Sequence, residues 1–273
     1  MYTLLYDFKK FIKIIDNHDG GDTIDLKNYT FLGAATLLPL FAYARSNEIS
    51  KYIFNSIKAM NYCKRVLNIE PHTNTTLPFE ELPKHMSATD FADVAEKIRR
   101  KLLSKVYVEP QSFEFLVAEV LNNIYTHSKF EKAYILSQQY PNRKITDICI
   151  FDDGISIPGN FEEAGFDFED DAEVIYGAIN GKSTDIYNNG FSGRGLNTST
   201  QIATIGFQED MLIASREGLC YITNKGAKIY IMDEKYIKGT YVAIRINENK
   251  LARSFNIYTG KIKKIKKISK QIL

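Results

Sequence analysis

One stretch of the 273-residue chain limits its fold more than any other: PQSFEFLVAEVLNNIYTHS, residues 110–128. Leu116, Val120 and Ile124 recur every fourth position, the spacing of a helical stripe packed on a core, and Pro110 suits a first helical turn. Glu119, Asn123 and His127 keep the same step on a neighbouring stripe, with Asn122 beside them. Burying such groups costs free energy unless each finds a partner. The helix must therefore either satisfy this row internally or present it to a cleft. In a cleft, Asn offers a neutral oxygen to a hard cation such as Mg²⁺, which takes few protein ligands and keeps water and phosphate oxygens. A Glu one turn earlier can act as general base on water or a hydroxyl. A satisfied structural network explains the same row equally well.

Two further segments add chemistry. FDDGISIP (151–158) ends an apolar strand, ITDICIFDDG, in a carboxylate and a glycine turn. Asp152 there can accept a hydrogen bond from an exocyclic amino group such as that of adenine, and Gly154 lets a planar ring approach the backbone. GFSGRGL (190–196) places Gly193 and Gly195 just ahead of a helix, where free N–H groups and the helix dipole favour phosphate. GAINGKST (177–184) superficially suggests a P-loop. Three residues rather than four separate Gly177 from Gly181-Lys182, and no strand precedes it, so the P-loop is rejected; Lys182 and Arg194 remain as candidate phosphate contacts.

These segments, in this order, resemble the Bergerat-fold (GHKL) ATPases, the superfamily of gyrase-type topoisomerases, heat-shock chaperones, histidine kinases and mismatch-repair proteins. Glu119-Val-Leu-Asn-Asn123 resembles the N box, Asp152-Asp-Gly154 the first glycine box, Gly193-Arg-Gly195-Leu196 the second, and Gly239-Thr240 the closing Gly-Thr. The likeness spans about residues 88–247. It implies Glu119 as catalytic base, Asn123 as Mg²⁺ ligand, Asp152 as adenine reader, and Gly193 and Gly195 as the phosphate loop. Gly154, Ser156, Lys182, Arg194, Leu196 and Thr240 would line the ATP site, and residues 159–192 would form a mobile lid. Ser156 departs from the pattern, because it stands where the first glycine box usually has a second glycine. The His127-Ser128 pair most resembles the anti-sigma-factor kinases.

The remaining chain sets the context. SATDFADVAEKIRRKLLS reads as a capped amphipathic helix opened by Ser87 and Asp90, and 210–247 reads as three or four antiparallel strands. Helices followed by a strand meander predict an α+β protein, a two-layer sandwich with helices on one face of a mixed sheet. Pro71, Pro78 and Pro83 mark residues 71–86 as a linker. Residues 1–70 then form a small α/β unit that resembles, more faintly, a STAS-type domain; its phosphorylation turn would carry Gly33 and Ala34, which accept no phosphoryl group.

Net charge is only +2, but residues 248–273 carry eight Lys or Arg and one acid, so the tail is strongly basic. Ile262, Ile265, Ile268 and Ile272 among its lysines predict an amphipathic helix that packs on the domain or meets a partner, a membrane surface or nucleic acid. Three widely spaced cysteines suggest neither zinc nor disulfides. The longest apolar run, residues 31–44, is too short to span a bilayer, and Lys and Asp in the first residues argue against a signal peptide, so a cytoplasmic protein is expected. The functional expectation is a Mg²⁺-dependent ATP-binding protein, a slow ATPase whose lid closure switches contact with a protein partner or a second subunit in signalling or regulation. Two alternatives stand beside it: a protein serine/threonine kinase of the anti-sigma-factor type, and a non-catalytic nucleotide-sensing module.

Overall fold

The chain opens with a helix, α1 (Leu4–Asp16), whose Leu4, Phe8, Phe11 and Ile12 form one buried stripe and whose first turn is capped by the Thr3 hydroxyl. The computed structural model describes residues 3–71, 73–102, 110–184, 195–206, 210–233, 237–247 and 264–273. After α1 come β1 (Thr23–Asp25), α2 (Ala34–Ser46), β2 (Lys51–Ile53), α3 (Ile57–Val66) and β3 (Thr76–Glu81). Next are α4 (Ala88–Leu102), α5 (Pro110–Asn123) with a π-helical turn over Ile124–Ser128, β4 (Ala133–Tyr140), β5 (Ile145–Asp152), α6 (Ser156–Glu163) and α7 (Asp171–Ile179). The chain ends with α8 (Gly195–Gln201), β6 (Met211–Arg216), β7 (Gly218–Thr223), β8 (Gly226–Ile231), β9 (Ile237–Asn247) and β10 (Lys267–Ile272).

Among the described residues, eight strands form one mixed sheet in the order β10-β8-β7-β6-β9-β5-β4-β3, antiparallel throughout except where β10 joins β8 in parallel. The expected α+β class holds. The period of two along the strands divides the core. On β5, Ile148 and Ile150 face α4, α5, α7 and α8, whereas Cys149 and Phe151 face the opposite side. That second face is covered by α1 and α2: Phe8, Leu37 and Phe41 join Tyr134, Leu136, Leu212 and Tyr241 in one continuous core. Helices therefore lie on both faces of the sheet.

Three expectations are corrected. Residues 71–86 are not only a linker, since residues 76–81 form edge strand β3. Pro78 is tolerated there because the β3–β4 register slips between Leu77 and Glu80, at a bulged edge where a ladder donor is dispensable. Among the described residues, the segment expected to be a separate unit over 1–70 has no separately enclosed core; its strands β1 and β2 pair only with each other, and its helices share the core of the large sheet. The Gly33-Ala34 turn is buried, with the Ala34 N–H donating to the Tyr140 hydroxyl at 2.7 Å. Of the basic tail expected to be helical over 248–273, residues 248–263 lie outside the described residues and the end contributes strand β10; backbone pairing with β8 outweighs its weak helical spacing.

A buried ion cluster ties the first helix to the sheet. Arg245 donates from Nε and Nη2 to Asp147 at 2.7 and 2.8 Å and from Nη2 to Asp7 at 3.0 Å. All three are almost fully enclosed. Burial pushes the Asp147 carboxyl up and Arg245 pulls it back; burial also opposes the Arg245 charge, but its two carboxylate partners outweigh that.

Candidate functional site

The polar row on α5 resolves into two groups. The stripe Leu116, Val120 and Ile124 is buried against the sheet, as its spacing required. Asn122 and His127 are exposed and bear no burial cost. The π turn explains the departure of His127: its wider winding breaks the four-residue step after Asn123. Glu119 and Asn123 remain half-buried, and among the described residues neither side chain has a hydrogen-bond or ion-pair partner. Burial raises the Glu119 carboxyl above its ordinary value.

Gly195, the first residue of α8, lies directly over Glu119. A Cβ at Gly195 would stand 1.9 Å from Glu119 Oε2. Leu196 next to it packs into the core that α5 shares, which anchors the start of α8. Gly193 and Arg194 lie outside the described residues. Lys182 is exposed, with its stem folded across Gly177 of α7, and forms no hydrogen bond or ion pair with Glu119, Asn123 or Asp152. Of the lid expected over 159–192, residues 171–179 are packed rather than free, since Ala172, Ile175 and Ile179 are buried in the core, and residues 185–192 lie outside the described residues.

The other end of the helical run meets the β5 turn. A Cβ at Gly154 would come within 2.0 Å of the Ser128 carbonyl oxygen, so only glycine admits this approach. The Ile155 N–H donates to that same carbonyl at 2.7 Å, and Asn160 Nδ2 donates to the His127 carbonyl at 3.1 Å. Asp153 is a loop clamp: its Oδ1 accepts from the N–H groups of Glu131 and Lys132, both at 2.8 Å. Asp152 is buried, and its Oδ1 accepts from the Gly154 N–H at 3.0 Å. Burial pushes its carboxyl up to about 7, against the pull of the Gly154 N–H and the neighbouring Ser128 hydroxyl. Ser128 Oγ itself is buried and makes no hydrogen bond of ordinary geometry.

On β9, Thr240 sits opposite Asp152, and Gly239 takes φ +84° with the Asp152 carbonyl 1.9 Å from where a Cβ would lie. Ser215, which sequence patterning did not single out, joins the two sides. Its hydroxyl donates to the Gly239 carbonyl at 2.7 Å and accepts from the Ile157 N–H at 3.0 Å, with Thr240 Oγ1 at 3.1 Å. A buried serine in an apolar strand leaves no periodic signal to find. Ser156 fills its glycine-like place in a glycine-like conformation, φ +77°, and its Oγ accepts from the Gly159 N–H at 3.0 Å. The strain of a side chain in this region, ~1–2 kcal/mol, is offset by that cap, worth about 1 kcal/mol.

Two outcomes follow for stability. Ser156→Gly is expected to stay within about 0.5 kcal/mol of the parent, because strain and cap are lost together, whereas Ser156→Ala keeps the strain, loses the cap and costs about 1 kcal/mol. Gly239→Ala is expected to cost on the order of 3 kcal/mol or more, since the methyl meets backbone at a φ that alanine resists. Urea titrations of the three variants check the ranking.

The donor set fits a hard cation only with outside help. Among the described residues no group of three or more His, Cys, Asp or Glu could hold a metal, and Asn123 is the free oxygen donor beside Glu119. That pattern suits a Mg²⁺ carried largely by water and phosphate oxygens. Comparisons with protein-family models, with curated proteins and with solved structures return no match. Among the described residues no helix is long and apolar enough to cross a membrane.

Proposed function

We propose that this chain binds ATP with Mg²⁺ and hydrolyses it slowly, using nucleotide occupancy to switch contact with a protein partner or a second copy. The carrying observation is the pair Glu119 and Asn123: half-buried, free of partners among the described residues, and covered by Gly195. Groups left unsatisfied at this depth cost stability unless a ligand completes them. Asp152, at the end of β5, adjoins Ser128 at the far end of the same helical run from Glu119, which suits the nucleobase at one end and the phosphates at the other. The helices α4, α5, α7 and α8 on one sheet face correspond, on this reading, to the Bergerat sandwich. The N-terminal helices on the opposite face would then be an added layer, STAS-like only in its strand–turn–helix segment.

Mg²⁺ bound with the triphosphate would offset phosphate charge, and Asn123 Oδ1 would be the protein group that holds it. Glu119, its basicity raised by burial, takes a proton from water as the water oxygen bonds to the γ-phosphorus. The bond from that phosphorus to the β–γ bridging oxygen breaks, leaving ADP and phosphate. The assay is incubation with γ-labelled ATP and Mg²⁺, with and without partner fractions, in the parent, Glu119→Ala and Asn123→Ala. Free labelled phosphate that both substitutions abolish supports the proposal. Label on a protein supports the kinase alternative, and absence of nucleotide binding by the parent overturns the site.

Asp152 gives this site a pH signature. An amino group of the base donates to the carboxylate, so only the ionised form accepts it fully. With the carboxyl raised to about 7, adenosine affinity is expected to strengthen as pH rises from 5.5 to 7.5, by up to about tenfold per unit below 7. Adenosine is the proper probe because it has no phosphate titrating in this range. Asp152→Asn should weaken binding and flatten the slope; a parent affinity independent of pH rules out this role. The linked stability runs the other way. The neutral carboxyl suits the folded state, so its contribution is full below pH 3.8 and is lost as pH rises through about 7.

A further inference from the structure

The C-terminal residues 264–273 are attached to the same helix end that supports Gly195. Asn180, the C-cap of α7, brackets the backbone of Ile265: its Oδ1 accepts from the Ile265 N–H at 2.7 Å, and its Nδ2 donates to the Ile265 carbonyl at 3.4 Å. The Tyr176 hydroxyl donates to that carbonyl at 2.7 Å, and the Ile265 side chain is buried in the core. Along α7, Lys267 pairs with Glu173 at 2.6 Å, and Lys270 pairs with Asp170. One residue before Asn180, the Ile179 carbonyl accepts from Nδ2 of Asn197, which is 1 % exposed on α8 and receives Gln201 Nε2 at 3.0 Å. Asn197 is two residues from Gly195, and Gly195 abuts Glu119. A continuous line of hydrogen bonds and packing thus runs from the tail strand through the end of α7 to the first turn of α8.

We propose that residues 264–273 act as a clasp that sets where Gly195 stands against Glu119, with Asn180 and Asn197 as positioning residues, and that the docked clasp is the turnover-competent state. The catalytic part of this inference rests on the ATPase reading; the mechanical part does not. The clasp is built to release. It is an edge strand whose lysine pairs are about one-third exposed, so salt weakens them, and only Ile265 is deeply anchored.

The test uses the full chain with Lys267→Glu/Lys270→Glu, which repels β10 from Asp170 and Glu173, and separately Asn197→Ala. Hydrogen exchange is the first readout. Faster exchange at 265–273 in the charge-reversed variant is expected to bring faster exchange at 196–201, while the β4 and β5 amides stay protected. If the tail loosens and α8 does not, the clasp is overturned whatever the chain does with ATP. Turnover is the second readout. Both variants should lose about tenfold or more in kcat, the scale of a small misplacement, with adenosine affinity unchanged because Asp152 is untouched. Adding Glu173→Lys to Lys267→Glu should restore part of the rate. Parent-like kcat with the tail undocked, or an equal loss of adenosine binding, overturns the positioning role. Absence of turnover in the parent instead counts against the ATPase reading and leaves the exchange result to judge the clasp.

Discussion

Glu119→Gln is expected to reduce ATP turnover by ~10²–10⁴-fold while leaving the protein as stable as the parent or more so. The two halves come from one feature. Glu119 is half-buried under Gly195 without a cation or donor among the described residues, so burial alone raises its carboxyl. As a catalyst, that raised carboxylate is a stronger proton acceptor than an exposed glutamate. As part of the fold, it is a charge held where charge is disfavoured. Its contribution is full below its unfolded value and is lost as pH rises through the folded one, so at pH 7–8 the ionised group is a burden. Gln keeps the shape and removes the charge. ATP affinity should change little, because Gln still fits beneath Gly195 and Asn123 and Asp152 remain. A phosphate-release assay, equilibrium binding and a urea titration on one preparation separate the outcomes. Lost turnover with retained binding and stability fits a base, whereas lost stability would make Glu119 part of a structural network. Unchanged turnover would remove it from the mechanism.

The legible parts of this chain were those with short-range periodicity or a hard steric rule. The apolar step of Leu116, Val120 and Ile124 located α5 and its buried face, and the Ser87–Asp90 cap located the start of α4, where the Ser87 N–H donates to Asp90 Oδ2 at 2.6 Å. Gly154 and Gly239 stand where a side chain would strike backbone, so glycine at those places carried real information. Three kinds of feature were not legible. His127 left the predicted row because a π turn changed the phase, and no residue between Ile124 and Ser128 announces such a turn. The tail repeated isoleucines at helical spacing, but its strand is set by pairing with β8, some forty residues earlier in the chain. Pro78 argued for a linker because proline disfavours sheet interiors; it could not report that its strand is an edge with a slipped register. For the tail and for Pro78 the deciding contact was non-local.

The largest effect on stability is expected from Arg245→Met. Arg245 holds Asp147 with two hydrogen bonds and Asp7 with a third, 238 residues away in sequence, all nearly out of reach of water. Removing the guanidinium strands the buried Asp147 carboxylate and leaves buried Asp7 with only Lys10, at 3.4 Å; the cost of breaking such a cluster is about 3–5 kcal/mol. For a chain of this size that is a fall of roughly 10 °C in Tm. The deficit should depend on pH with a defined sign. Without Arg245 nothing offsets the burial that already raises Asp147, so the variant is least impaired where the Asp147 carboxyl is protonated and its deficit grows as pH rises. Replacing the cluster whole, with Asp7→Leu and Asp147→Leu added to Arg245→Met, should recover most of the loss, since the penalty lies in unpaired charge rather than in absent ion pairs. The unfolding profile also tests the architecture. Phe8, Leu37 and Phe41 share a core with Tyr134 and Tyr241, so α1 and α2 should unfold together with the sheet in one transition, in the parent and in Arg245→Met alike. A first transition confined to residues 1–70 would mean that the N-terminal helices fold apart from the sheet, and that Arg245 fastens one unit to another rather than closing a single core.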